Sequence, residues 1–427
     1  MPDLHALFLP CPRGLEAMLA AEMRQIGGAT LEVGDAVVSG VPARGTLDDV
    51  MRLNLHSRLA SRVLLCLGRA PVTQADDVYR LALKLPWGRW FKPSQTLRVD
   101  VTAERIPAER APGKKPVWPA TARSGHDSPA RGSGFLDSLQ FTALRAKDGV
   151  CDHFRARGQE RPSVDREQPD VRVQLHLTAS EALLYLDTSG EALFKRGWRT
   201  EHGEAPLKEN LAAGLLMLSG WTPHAALFDP LCGAGTLAVE AAQMACNIAP
   251  GLGRGCSFGF ERLQGFDRGA WIGLRQAAHA ARRAPPAAII AADIDPRMVQ
   301  LTRANAQRAG VEGALRLQQA DVMDAVPPVT LAPGEAGHIV TNPPYAELIE
   351  AKGREAEDFL PRLGDLLKQR FVGWHAALLL ADLQADKALR LKPARRHVVY
   401  NGPIECRLFT FALVAGRPPR KAEAEPA

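Results

Sequence analysis

The chain reads as an α/β protein whose C-terminal half is built on a mostly parallel sheet, with smaller α+β modules ahead of it. Three observations carry this. Past about residue 200 short apolar runs alternate with amphipathic helical stretches, the pattern of strands covered on both faces. A Gly-rich turn, Phe228-Asp229-Pro230-Leu231-Cys232-Gly233-Ala234-Gly235-Thr236, follows one such run and opens a helix. Before residue 190, alternating strand patterns such as Leu97, Val99, Val101 and Val171, Val173, Leu175, Leu177 mix with helical stripes.

At 427 residues the length suggests two or three domains. An apolar share of 46% with 23% charged residues is ordinary globular composition and excludes wholesale disorder. The net charge of +6 leans mildly toward a polyanionic partner. Seven scattered cysteines with no Cys-x-x-Cys pair indicate neither a disulfide framework nor a zinc site, so a reduced, cytoplasmic setting and no metal are expected. Pro10 and Pro12 interrupt Leu7-Phe8-Leu9 before it could serve as a signal core, and no run approaches the roughly 18 apolar residues of a membrane span. No membrane partner is expected.

Residues 1–65 read strand, helix, strands, helix, strand, which predicts a ferredoxin-like module. Leu15, Met18, Leu19, Met23 and Ile26 form a helical stripe ended at Gly27-Gly28, and Thr46 is the expected cap of a second helix. Residues 66–187 form a second α+β module, with helices over Val78–Leu85 and Phe141–Phe154. Its Pro-, Gly-, Ser- and Arg-rich stretch 104–134 is expected to be a mobile surface insertion. Residues 188–415 form the parallel-sheet domain, with strands expected at Ala226–Phe228, Ala288–Ala292, Leu315–Gln319, His338–Val340 and Ala376–Leu380, and 416–427 a disordered tail.

The chemistry resides at the ends of those strands. Gly233 and Gly235 allow backbone amides to approach a ligand closely, though neither a dinucleotide fingerprint nor a P-loop is present, and the same string also makes an ordinary tight turn. Asp293 ends the next strand, where a carboxylate can take both hydroxyls of a ribose. Its unusually long offset from the turn makes about Asn247–Pro286 an insertion. Asp295 before Pro296 reads as a helix cap. Asp321 is open between an adenine contact and a loop cap. After the fourth strand comes Thr341-Asn342-Pro343-Pro344-Tyr345. The Asn342 side-chain oxygen and the Pro343 carbonyl can accept N–H bonds from an exocyclic amine, and two prolines hold that carbonyl rigid. Tyr345 offers a face on which an extruded base can stack, worth roughly 1–3 kcal/mol.

These motifs resemble those of the bacterial THUMP-domain RNA guanine-N2 methyltransferases, in particular those acting on 23S ribosomal RNA. The resemblance runs through Cys11–Glu16, Arg161–Asp165, Pro169–Val173, Leu186–Gly190, Lys195–Arg199, Ala205–Ala212 and Tyr400–Cys406. It implies a seven-stranded, Rossmann-like class I methyltransferase domain preceded by the ferredoxin-like module and a THUMP domain, with S-adenosyl-L-methionine as methyl donor. It also implies donor contacts from Asp229, Pro230, Cys232, Gly233, Gly235, Thr236, Asp293, Ile294, Asp321, Val322 and Asn342. Asn342, Pro343, Pro344 and Tyr345 would receive the guanine, and Arg13, Lys195, Arg196, Arg199 and Lys208 would contact RNA. The expected partner is a structured RNA, 23S rRNA or an assembly intermediate, captured by shape more than by a broad basic surface. A tRNA substrate would keep the chemistry. A DNA adenine-N6 or protein glutamine methyltransferase would share the pentapeptide, and a non-enzymatic RNA-binding protein would share the N-terminal modules. Some relatives carry a second methyltransferase domain, so a single transfer activity is expected here. A chain beginning near Glu204 is expected to keep donor binding.

Overall fold

The computed structural model describes residues 3–104, 138–199, 207–344, 356–382 and 384–414. The expected insertion falls outside them apart from Glu104, and the expected tail, residues 416–427, falls outside them entirely. The chain packs as two compact units, one of residues 1–8, 63–190 and 257–267, the other of residues 9–62, 191–256 and 268–427.

In the first unit the strands β1 (His5–Pro10), β4 (Leu64–Pro71), β5 (Leu97–Ala103), β6 (Val171–Leu177) and β7 (Glu181–Asp187) run in the order β1-β4-β7-β6-β5. Only β5 and β6 are parallel in this row. The alternation read along β6 is a true pleat: Val171, Val173, Leu175 and Leu177 are buried and Arg172, Gln174 and His176 are not. Helices α3 (Ala75–Lys84) and α4 (Leu139–Arg155) turn Val78, Leu81, Ala82 and Val150, Cys151, Phe154 inward. The Trp87/Phe91/Phe154 cluster closes the helical layer, with ring centroids 6.2 and 5.3 Å apart.

The second unit contains α1 (Glu16–Ile26), the hairpin β2 (Glu32–Val33) and β3 (Gly40–Gly45), and α2 (Leu47–His56). Thr46 caps α2 as expected: its hydroxyl accepts from the Asp49 amide at 3.2 Å while Asp49 accepts from the Thr46 amide at 2.9 Å. The parallel-sheet domain follows with α5 (Glu209–Leu218), β8 (Leu227–Asp229), α6 (Thr236–Ala245), α7 (Arg268–Ala280), β9 (Ile289–Asp293), α8 (Pro296–Arg308) and β10 (Leu315–Gln319). It continues with β11 (His338–Thr341), α9 (Ala356–Arg370), β12 (His375–Leu380), α10 (Ala385–Ala388), β13 (Arg395–Asn401) and β14 (Ile404–Ala412). The sheet order is β10-β9-β8-β11-β12-β14-β13, seven strands of which only β14 runs antiparallel to the others. All five expected strands of this domain are present within a residue at each end. The closing β13–β14 pair turns at Gly402, within the Tyr400–Cys406 string. The order reverses at β8, so Asp229, Asp293 and Thr341 end neighbouring strands where a crevice forms.

Residues 9–62 share a core with this domain through a buried ion cluster. Glu240 on α6 is fully buried, with the Arg196 Nε 3.2 Å from one carboxylate oxygen and the Arg58 Nη1 3.9 Å from the other. Arg196 also donates to the Arg58 carbonyl at 2.6 Å, and Arg58 to the Ile248 carbonyl at 2.6 Å. A chain beginning near Glu204 therefore lacks both guanidiniums and leaves Glu240 buried alone. Donor binding by such a fragment, as expected from the sequence, then requires that it fold with Glu240 uncompensated. Glu240→Ala in the full chain should strand two buried cations and lower unfolding free energy by about 3–5 kcal/mol. Urea denaturation measures this, and a loss below about 1 kcal/mol would show that the cluster is dispensable.

Candidate active site

The turn after β8 is held from outside by α8 and from beneath by two carboxylates. Asp229 is almost wholly buried and accepts from the Thr341 hydroxyl at 2.8 Å and the Leu231 amide at 3.4 Å. Burial pushes its carboxyl up to about 7; the Thr341 and Leu231 bonds pull against that, and the nearby Asp293 charge adds to it. The Cys232 thiol beside it is pushed well above its ordinary range, chiefly by burial, so it is no nucleophile.

The backbone then turns through Gly233 and Gly235, at φ of +53° and +80°. At Gly235 a Cβ would stand 2.5 Å from the Thr302 side chain, so only glycine fits. Thr302 donates to the Gly233 carbonyl and the Asn305 amide group to the Ala234 carbonyl, both at 2.8 Å. With its carbonyls tied to α8, the turn keeps its other face for amide donors. The Gly233 amide donates to one oxygen of Asp293 at 2.9 Å, and the Asp295 amide to the other, also at 2.9 Å. Asp293 thus stitches two strand-end loops together while each oxygen keeps a second lone pair.

Asp295 accepts from the Arg297 amide at 2.9 Å, the helix cap expected of it. Asp321 caps a short 3-10 turn, accepting from the Met323 amide at 3.0 Å. Ile294 is 44% exposed beside Asp293, whereas Val322 is buried in the core. At the end of β11 the Asn342 side-chain oxygen is buried without a hydrogen-bond partner among the described residues. Tyr345 lies outside them.

Comparison with known proteins decides the family. Residues 196–410 match the RMKL-like methyltransferase domain, 6–64 the RlmL ferredoxin-like domain and 121–187 the THUMP domain. A Synechocystis protein, named as a candidate RNA methyltransferase, is 35% identical across 97% of this chain and 100% of its own length. The chain belongs to the RMKL-like methyltransferase family. Relatives named ribosomal RNA large subunit methyltransferase K/L include that of Methylococcus capsulatus, 36% identical over 98% of this chain and 52% of its own length. The chain spans about half the length of the curated relatives of that name that it matches. A solved methylase-like protein from Clostridium difficile shares the fold at 24% identity, with TM-score 0.79 over 98% of this chain and 100% of its own.

For this RMKL-like chain the expected RNA contacts divide. Arg13 is exposed, its guanidinium 4.3 Å above the Tyr400 ring. Lys195 and Lys208 are also exposed, the first paired with Glu191 at 2.6 Å and the second over the Phe194 ring. Arg196 and Arg199 are placed differently. Their side chains are only 1% and 7% exposed, held by Glu240 and Glu209, because both sit inside the packing of α6 rather than on its surface. Sequence reading missed Thr302 and Asn305, the residues that shape the turn. Their signal was the spacing of polar residues at i and i+3, continued by Arg308 at i+6, on one face of α8.

The Asp229 carboxyl predicts a pH effect. Its folded value near 7 lies above the ordinary 3.8, so between about pH 4 and 7 only the folded state holds the proton. Its contribution to stability is therefore present at low pH and lost as pH rises through that window. Asp229→Asn should flatten this decline, since each pH unit there is worth about 1.4 kcal/mol. Melting temperatures of both proteins from pH 4.5 to 8 test it; parallel curves would contradict the assignment.

Proposed function

We propose that this chain methylates the exocyclic N2 amine of a guanine in 23S ribosomal RNA, with S-adenosyl-L-methionine as donor. The observation carrying the chemistry is the buried Asn342 oxygen, without a partner among the described residues, at the strand end next to Asp229 and Thr341. A desolvated acceptor is expensive to leave unmatched, about 1–3 kcal/mol, and a substrate N–H would satisfy it.

The donor fits the residues present. Asp293 offers lone pairs for ribose hydroxyls, Ile294 an uncovered apolar side chain for a flat ring, and Gly233 open space above the turn, with no atom of the described residues within 4 Å of where a side chain would stand. One solved neighbour of the same fold, SMU.472, was crystallised with SAH. When bound, the donor supplies an electrophilic methyl group on a sulfonium. The protein's task is to make a poor nucleophile reactive. The Asn342 side-chain oxygen and the Pro343 carbonyl would accept hydrogen bonds from the two amine N–H groups, which turns the nitrogen lone pair out of the ring plane and stabilises the positive charge that develops on it until one N–H proton is released to solvent. The prolines limit reorganisation during the step. The RlmL ferredoxin-like module, together with relatives named for large-subunit rRNA, supports ribosomal RNA over tRNA as the substrate.

Asn342→Ala should lower the single-turnover rate about 10²–10³-fold with little change in donor affinity. Rates within a fewfold of wild type would remove Asn342 from the chemistry. Asp293→Ala should weaken donor binding more than tenfold in calorimetry while RNA affinity holds, on the scale of about 1.5–3 kcal/mol per charged hydrogen bond. The substrate is tested by mapping N2-methylguanine in a deletion strain. Loss of one 23S site supports the proposal, loss in tRNA moves the target, and full methylation of both RNAs overturns it.

A further inference from the structure

The basic stretch Lys195–Arg199 has no part in the transfer as described, and an RNA contact is closed to two of its three cations by burial. Arg196 holds Glu240 and the Arg58 carbonyl; Arg199 holds the donor turn instead. The Arg199 Nη2 donates to the Thr236 hydroxyl, its Nη1 to the Leu207 carbonyl at 2.9 Å, and its Nε stands 3.4 Å from a carboxylate oxygen of Glu209. Thr236 is the first residue of α6, directly after Gly235. One residue earlier, the Trp198 carbonyl accepts from Arg308 Nε at 2.7 Å; Arg308 Nη2 donates to Asn305 Oδ1 at 2.5 Å; and Asn305 Nδ2 donates to the Ala234 carbonyl at 2.8 Å. Adjoining residues 198 and 199 therefore reach the turn from both sides of Gly235, one through α8 and one directly.

The placement of Arg199 is not what helix stability alone would choose. A guanidinium at a helix N-terminus opposes the positive end of the helix dipole. Glu209, buried beside it, offsets that opposition, and its own carboxyl is raised by burial and lowered again by Arg199. A pair assembled against the dipole, with its fork fixed on Thr236 and the Leu207 carbonyl, restrains where α6 begins.

We infer that Arg199 is a positioning residue for methyl-donor binding, acting through the Thr236 hydroxyl to fix the start of α6, and not an RNA contact. This rests on the donor-binding reading above. The test is a double-mutant cycle in the full chain, with S-adenosylhomocysteine affinity read by calorimetry and 23S rRNA affinity by filter binding. Arg199→Lys keeps the charge facing Glu209 but loses the fork. Thr236→Val keeps every charge and the shape but removes the acceptor, and it carries the test alone if Arg199→Lys fails to fold. Each should weaken S-adenosylhomocysteine binding about tenfold, the double variant should be no weaker than either single, and RNA affinity should stay within twofold. Wild-type ligand affinity in the single variants, even with a lowered melting temperature, overturns the inference and leaves a structural role. Multiplying losses overturn the route through Thr236, and a loss of RNA affinity in place of donor affinity restores the RNA contact. A wild-type chain that binds no S-adenosylhomocysteine brings down the donor reading itself, which separates the two failures.

Discussion

One buried carboxylate, Glu240, sets the terms for the second unit. A fully enclosed anion is tolerable only with cations at hand, and Arg196 and Arg58 come from segments on either side of a long stretch of chain. The Arg58 guanidinium goes on to the Gln243 and Ile248 carbonyls at the end of α6, and its own carbonyl accepts from Arg196. The loop after α2 is thereby bound to the helix whose other end carries the Gly-rich turn. An apolar replacement could have been as stable, so the ion cluster is better understood as fixing register than as adding stability.

The turn itself follows the same logic on a smaller scale. Every peptide group has a donor and an acceptor to place. Thr302 and Asn305 take up the Gly233 and Ala234 carbonyls, and Asp293 takes the Gly233 amide. Asp229 and Asp293 lie close enough for their charges to interact, and burial drives the Asp229 carboxyl toward its neutral form. One carboxyl is thus buried and tied to Thr341, while the other stays partly exposed at the crevice. Environment has separated two like residues into different roles.

Much of this was legible in the residues. The apolar strands and the Thr46 and Asp295 caps follow from local pattern, because period and capping chemistry are short-range properties; the strand order, which reverses at the Gly-rich turn, is set by tertiary packing. The site's strand-end residues were legible for the same reason. Arg196 and Arg199 were not. A basic string such as Lys195-Arg196-Gly197-Trp198-Arg199 looks like a phosphate-binding surface until its partners are known, and Glu240, Glu209 and Thr236 are set by tertiary packing. The β7 strand was missed as a separate element because Glu181–Asp187 has four consecutive buried residues at its end instead of an alternation.

Four of the arginines on the surface are engaged in the same manner. Arg98 pairs with Asp100, Arg145 with Asp76, Arg262 with Asp170 and Arg155 with Asp152, each within 3.3 Å. A close ion pair acts at a distance as a dipole, so its field fades faster than that of a lone charge and is screened within about 8–10 Å at physiological salt. Such pairs add little to the long-range pull of the net charge of +6 on a polyanion. Under the proposed function, these pairs act at contact range, where an RNA phosphate competes with each aspartate for its arginine. Surface pairs of this kind are worth about 0–1 kcal/mol, so a well-placed phosphate can displace the acid at small cost. A phosphate in the wrong place finds the arginine already engaged, and recognition becomes a matter of whether the RNA backbone presents its phosphates where the pairs can open.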